Sequence, residues 1–110
     1  MRVEQDTRQE VKISKIVKRV LNRIFGKEAT NLIYRHLETK YSLEEDEIAS
    51  RIDVFAKGLE DFLSSGAQVI EQEILEDVYS SYGLLRQLQF KDIQEDSSFV
   101  GRIKLLIHNT

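Results

Sequence analysis

Residues 13–25 read ISKIVKRVLNRIF, and the spacing within that stretch decides the fold class. Ile13, Ile16, Val17, Val20, Leu21, Ile24 and Phe25 recur at steps of three and four, the period that gathers apolar side chains onto one face of an α-helix. Arg8, Lys12, Lys15, Arg19 and Arg23 fall on a single stripe opposite that face. The segment therefore predicts an amphipathic helix with a basic outer side, ended by Gly26 as a C-cap residue.

The same period continues outward. A second helix is predicted over 27–41, with Ala29, Leu32, Ile33, Leu37 and Tyr41 inward. Ser42 followed by Glu45 has the form of a capping box opening a short acidic helix over 43–49. Asp53 can cap a helix over 54–63 that turns Phe55, Leu59, Phe62 and Leu63 inward, and Ser64, Ser65 and Gly66 form the break after it. The next helix, 67–82, places Ala67, Ile70, Ile74, Leu75, Val78 and Tyr79 on one side. Leu84, Leu85, Leu88 and Ile93 can continue as helix beyond Gly83, and 94–98 reads as a polar turn. Phe99, Val100, Ile103, Leu106 and Ile107 have helical spacing with Ser97 or Ser98 as cap. Ile103, Leu105 and Ile107 also alternate like a strand, but the rest of the chain offers no strand to pair with, so helix is favoured.

Shifted by thirty-eight positions the chain matches itself weakly. Leu21 meets Leu59, Ile24 meets Phe62, Phe25 meets Leu63, Ala29 meets Ala67, Leu32 meets Ile70, Leu37 meets Leu75 and Tyr41 meets Tyr79. Each copy is a helix, a glycine-containing break and a second helix. Neither hairpin can bury its apolar side alone, so the expected architecture is all-α: two helical hairpins packed as a four-helix bundle-like unit. Residues 1–110 form one domain in this reading, with a core over about 8–84 and a C-terminal extension over 85–110.

Charge follows the same division. Residues 1–40 hold ten Lys/Arg against five Asp/Glu, and residues 41–80 hold two against eleven. A net of +5 thus faces a net of −9, and the remaining residues add +1 to give −3 overall. The two sets either neutralise each other or present separate surfaces to partners. Without Pro, and with only five Gly, the 110 residues favour long uninterrupted helices. Absence of Cys excludes disulfides, a thiol nucleophile and cysteine metal sites. The apolar runs are too short to span a membrane, and the opening MRVEQDTRQE lacks the apolar stretch of a signal peptide; the expected setting is cytoplasmic.

Between about Val20 and Leu84 the chain resembles a small archaeal family, the Nitrosopumilus output domain. The resemblance rests on Phe25–Gly26, on LIYRHLETKYSLEEDEI in the middle, and on GLEDFLSSGAQVIEQEILEDVY at the second hairpin. Its strongest part is GAQVIEQEI, from Gly66 to Ile74, followed by Tyr79. These are amphipathic-helix patterns and not chemical signatures. The second break departs from the pattern, reading SSG in place of an FG-like pair, and residues 86–110 lie outside it. The resemblance implies a compact helical domain, free-standing or joined to sensory modules, and offers no catalytic residues to carry over.

Three groups of residues are candidates for function. The basic face of Arg8, Lys12, Lys15, Arg19 and Arg23 is a footprint for nucleic-acid phosphates or for an acidic protein surface; a solvated amphipathic helix needs such a face anyway. An acidic face of Glu73, Glu76 and Asp77, with Glu71 and with Glu44, Glu45, Asp46 and Glu47, is available to attract those cations. Glu71 lies inside the apolar arc of its helix, where a charge is costly unless paired, and His36 lies on the inward arc of the second helix. A pseudo-twofold packing of the hairpins predicts that these two meet as a buried polar pair, either a protonatable switch or simply a satisfied hydrogen bond. An exposed His36 can be a phospho-acceptor, but its inward placement argues against that. His36 and His108 are the only histidines, so no metal site is expected.

No ordered catalytic constellation is legible, and the chain reads as non-enzymatic, with no cofactor or small-molecule ligand. Two functions remain. The first is a protein-interaction or signal-output module that docks on a partner or forms a homodimer. The second is a nucleic-acid-binding regulator using the first helix. The homodimer expectation rests on the apolar segment 99–107, which must cover either its own domain or a second copy.

Overall fold

A computed structural model describes residues 2–84 and 98–108, with side chains over 8–84 and 98–107. Among the described residues five α-helices follow in order: α1 (Arg2–Phe25), α2 (Lys27–Tyr41), α3 (Ile52–Leu63), α4 (Ala67–Ser81) and α5 (Phe99–His108). Among the described residues there is no strand. Each of the first four helices packs on the next, and α4 returns to α1 to close the ring. The all-α, bundle-like architecture expected from the periodicity is what forms.

The turns explain the topology. Gly26 alone joins α1 to α2, at φ 87 and ψ 165, a region open only to glycine. Its N–H donates to the Asn22 carbonyl at 2.9 Å and its carbonyl accepts from Thr30 N–H at 3.1 Å, so one residue ends one helix and begins the next. The end of α2 is closed from outside. The Arg51 guanidinium donates to the Ser42 carbonyl at 2.9 Å and to the Tyr41 carbonyl at 3.1 Å, groups that would otherwise lack partners at a helix C-terminus. After α4, Gly83 N–H donates to the Ser80 carbonyl and Leu84 N–H to the Tyr79 carbonyl at 2.7 Å, the paired bonds of a Schellman end. Leu84 therefore leaves the helix and does not continue it. The expected helical run through Leu85, Leu88 and Ile93, and the polar turn up to 97, lie outside the described residues.

The linking segment is shorter than expected. Only Glu45–Glu47 is helical, as one 3-10 turn, and its capping box is formed by Glu44 and Glu47 and not by Ser42 and Glu45. Ser42 instead takes a left-handed conformation that ends α2, so it is not free to begin another helix. Leu43, Ile48, Ala49 and Ile52 are buried around this turn. Ala49 N–H donates to Ser14 Oγ of α1 at 3.1 Å in the interior, which ties the turn to α1. The helix after it begins at Ile52, ahead of Asp53, which therefore lies in the first turn rather than at the cap.

The core runs through Ile13, Val17, Val20 and Leu21 of α1, Leu37 of α2, Phe55 and Leu59 of α3, and Ile74 and Val78 of α4. Each such side chain stabilises by about 1.5–3 kcal/mol on burial. All six inward residues expected of α4 are buried. In α2 the buried arc passes through Thr30, Ile33, Tyr34 and Leu37, and this rotation leaves Leu32, expected inward, 56% exposed. Ile24 and Phe62 are likewise on the surface. At Gly58 α3 packs tightly on α2: a methyl there would stand 2.1 Å from Leu37 Cδ2.

The two hairpins keep the same burial pattern at most matched positions. Leu21 and Leu59 are both wholly buried, Phe25 and Leu63 half-buried, and Leu37 and Leu75 buried; Ala29 and Ala67, Leu32 and Ile70, and Tyr41 and Tyr79 diverge. The terminal helix forms where expected. Ser98 Oγ accepts from Gly101 N–H at 3.0 Å, as an N-cap should. Phe99, Ile103 and Leu106 are buried, α5 packs on α3 and α4, and the Phe99 ring stands 6.4 Å from that of Phe55. The apolar side of this segment is therefore covered by its own domain.

Candidate functional site

The basic stripe of α1 lies between two acidic elements drawn from the middle of the chain. On one flank α4 runs beside it. Arg23 donates to Asp77 and to Glu73, each at 3.2 Å, and Arg19 reaches Asp77 Oδ2 at 3.5 Å. Lower on the same side the Lys12 ammonium sits 4.3 Å above the Tyr82 ring, whose hydroxyl donates to Gln9. On the other flank Lys18 pairs with Glu45 of the 3-10 turn at 3.0 Å. These groups are substantially exposed, so each pair contributes only about 0.2–1 kcal/mol. Their collective effect is to mate the +5 and −9 portions of the chain along one helix.

The sequence-predicted basic face is thus split in use. Arg19 and Arg23 are engaged with Asp77 and Glu73, whereas among the described residues no carboxylate pairs with Arg8 or Lys15. Glu76 accepts from Gln72 at 3.2 Å and takes no part in the α1 contact. Asp46 is exposed and likewise has no ion-pair partner among the described residues.

Between the two halves lies a hollow of about 150 Å³, bounded by Val11, Lys15 and Lys18 of α1 and by Tyr34, Glu45 and Asp46 opposite. Tyr34 also walls a larger open depression of about 580 Å³ over α2 and the 3-10 turn, edged by Arg35, Glu38, Glu44 and Asp46. The Tyr34 phenol is pushed upward from its ordinary pKa by burial and then by the charge of Glu45. It stays neutral at physiological pH.

The pair expected from the helical wheel does not form. His36 Nε2 lies 3.4 Å from Asp61 Oδ2 of α3, not against Glu71. The reason is topological: α3 stands between α2 and α4 in the ring, so His36 meets one flank of α3 and Glu71 faces the other. Neither is fully buried. Burial, followed by repulsion from Glu60, raises the Glu71 pKa. Among the described residues Glu71 has no hydrogen-bond or ion-pair partner.

Asp61 is the residue missed by the sequence reading. It accepts from Tyr41 Oη at 2.5 Å and from Lys40 Nζ at 3.1 Å, in addition to the His36 contact. These hydrogen bonds, Tyr41's foremost, lower its pKa to about 2, while the same carboxylate raises Lys40 and Tyr41. The His36 and Phe62 rings meet edge to face, centroids 4.8 Å apart, a contact made on the surface side of α3 where Phe62 lies. The signal that could have found this cluster is the i, i+4 spacing of His36 and Lys40, which puts two nitrogen-bearing side chains on one α2 face.

Among the described residues no group of three His, Asp or Glu is placed to hold a metal ion, and no helix is long and apolar enough to cross a membrane. In comparisons with known proteins no family model matched the chain, and no curated protein or solved structure did so significantly. The output-domain resemblance therefore rests on its sequence motifs alone.

Proposed function

We propose that this chain is a non-enzymatic protein-interaction module, of the signal-output kind suggested by residues 20–84, and that it associates with itself as a homodimer. One observation supports the reading: after Arg19, Arg23 and Lys18 have been matched within the fold, Lys15 and Asp46, exposed charges of opposite sign with no ion-pair partner among the described residues, line the two sides of one surface hollow. The internal stability of the domain makes no use of them, and unmatched groups at a hollow are what a partner surface neutralises. The burial of Phe99, Ile103 and Leu106 within the domain removes α5 as the ground for a dimer and moves the expectation to this charged face.

Sedimentation across a wide protein concentration tests the reading. A mass that rises toward twice that of the 12.8 kDa chain as concentration increases and salt falls is the expected result; a single chain mass throughout would defeat self-association. The alternative, phosphate binding by α1, is weakened because Arg19 and Arg23 are held by carboxylates. A salt-dependent nucleic-acid mobility shift abolished by Lys15→Glu/Arg19→Glu would restore it.

A further inference from the structure

We infer that the small hollow, with Val11 and Lys15 on its α1 wall and Asp46 on the wall opposite, is a self-complementary surface that takes a second copy of this chain about a twofold axis. The inference rests on the self-association part of the function proposed above and names the surface that would mediate it.

The opposite charges of the two walls are the reason. Val11 is a large apolar residue 38% exposed, and it borders a hollow whose volume of about 150 Å³ is several times the ~30 Å³ share of a water molecule. Lys15 shares the α1 wall with Val11, and Asp46 lies on the wall across the hollow. Rotation by a half-turn about an axis running along the hollow between these walls brings the Lys15 of each copy to the Asp46 of the other. An isologous contact of this kind closes at two copies, because the same patch is used by both. A surface of one sign would repel its own image. A wholly acidic or wholly basic partner would satisfy half of this surface and be repelled by the other half, and for that reason a second copy is the better fit.

Exposed charges around one apolar contact give a weak, salt-sensitive association, and they make it testable by charge reversal. Lys15→Glu alone and Asp46→Lys alone each place like charges opposite one another at both symmetry-related contacts. Each is expected to weaken the dimer roughly tenfold or more at low salt. The double variant Lys15→Glu/Asp46→Lys restores both attractions with the signs exchanged and is expected to recover association. Both positions are exposed, so helical circular dichroism and the melting midpoint should be nearly unchanged in all three and serve as the folding control.

Equilibrium sedimentation of the full chain reads the result. A wild-type dimer that is broken by each single reversal and recovered by the double supports the twofold surface. A wild-type dimer indifferent to either reversal overturns this surface while leaving self-association standing. Loss in the singles without recovery in the double overturns the pairing of Lys15 with Asp46 across the axis. A wild-type chain that stays monomeric overturns both proposals.

Discussion

The approach of α2 to α3 at Gly58 makes a prediction whose sign separates two pictures of the core. Adding a methyl at this position, Gly58→Ala, ordinarily stabilises a helix interior by about 1 kcal/mol. Here the new Cβ would lie 2.1 Å from Leu37 Cδ2, 3.4 Å from Tyr41 Cε2 and 3.6 Å from Leu37 Cγ. Ordinary carbon contacts sit at about 3.5–4.0 Å, so Leu37, 1% exposed, must retreat by roughly 1.5 Å within packed surroundings. Overpacking of that kind costs about 1–3 kcal/mol. The net expectation is a loss near 1 kcal/mol in place of the usual gain.

Leu37→Ala alone should cost about 2–5 kcal/mol, but it also removes the atoms that the new methyl meets. In that background Gly58→Ala should turn favourable, by up to about 1 kcal/mol. The double-mutant cycle is then expected to show a coupling near 2 kcal/mol, several times the ~0.3–0.5 kcal/mol scatter of independent sites. Urea unfolding followed by circular dichroism supplies the four free energies, provided the slopes agree. If Gly58→Ala stabilised the wild type as much as it stabilises the Leu37→Ala protein, the two helices would not approach as described.

Three further outcomes follow from burial and charge. Asp61, lowered to about 2, contributes stability that is fully present above the unfolded carboxyl value of about 3.9 and is lost as pH falls through the folded value; the melting difference between wild type and Asp61→Asn should therefore hold near neutrality and close between about pH 4 and pH 2. Glu71 has the opposite sign, since its raised pKa means a contribution that is lost as pH rises through it. Glu71→Gln should accordingly raise the melting midpoint at pH 7 and change it little below pH 4, and a drop at pH 7 would show a partner for the carboxylate. Ile74→Ala should cost about 2–5 kcal/mol, whereas Leu32→Ala, on the exposed side of α2, should stay within about 0.5 kcal/mol; equal losses in a denaturant series would contradict the rotation of α2.

Much of the fold was legible because a 3.6-residue period leaves a dense trace. The six inward residues of α4, the end of α1 at Gly26 and a serine cap at 97 or 98 before α5 follow from spacing and local backbone chemistry alone. The rotation of α2 was misread because hydrophobicity favoured Leu32 for the interior, while Thr30 and Tyr34, each carrying a hydroxyl, occupy the positions that geometry turns inward. Hydropathy ranks residue types; packing selects an arc, and the two disagree when apolar and amphipathic residues alternate. The site was less legible still. Pairing between helices depends on which helix lies between which, so His36 opposite Asp61 could not be told from His36 opposite Glu71 until α3 was placed between α2 and α4.

The matching of α1 with α4 has a consequence in time. Arg19 and Asp77 are 58 residues apart, and at the ~5–20 residues per second of protein synthesis the second is made roughly 3–12 s after the first. A helix turn takes far less than a millisecond to form, so α1 is ready long before its counter-charges exist. Throughout that interval the nascent chain carries a cationic, half-apolar helix with no second hairpin to cover it. The first hairpin can zip at Gly26 as soon as Tyr41 has emerged, but its basic side stays open to anionic surroundings until the acidic segment arrives. Moving the acidic hairpin ahead of the basic one by circular permutation would reverse which charge waits.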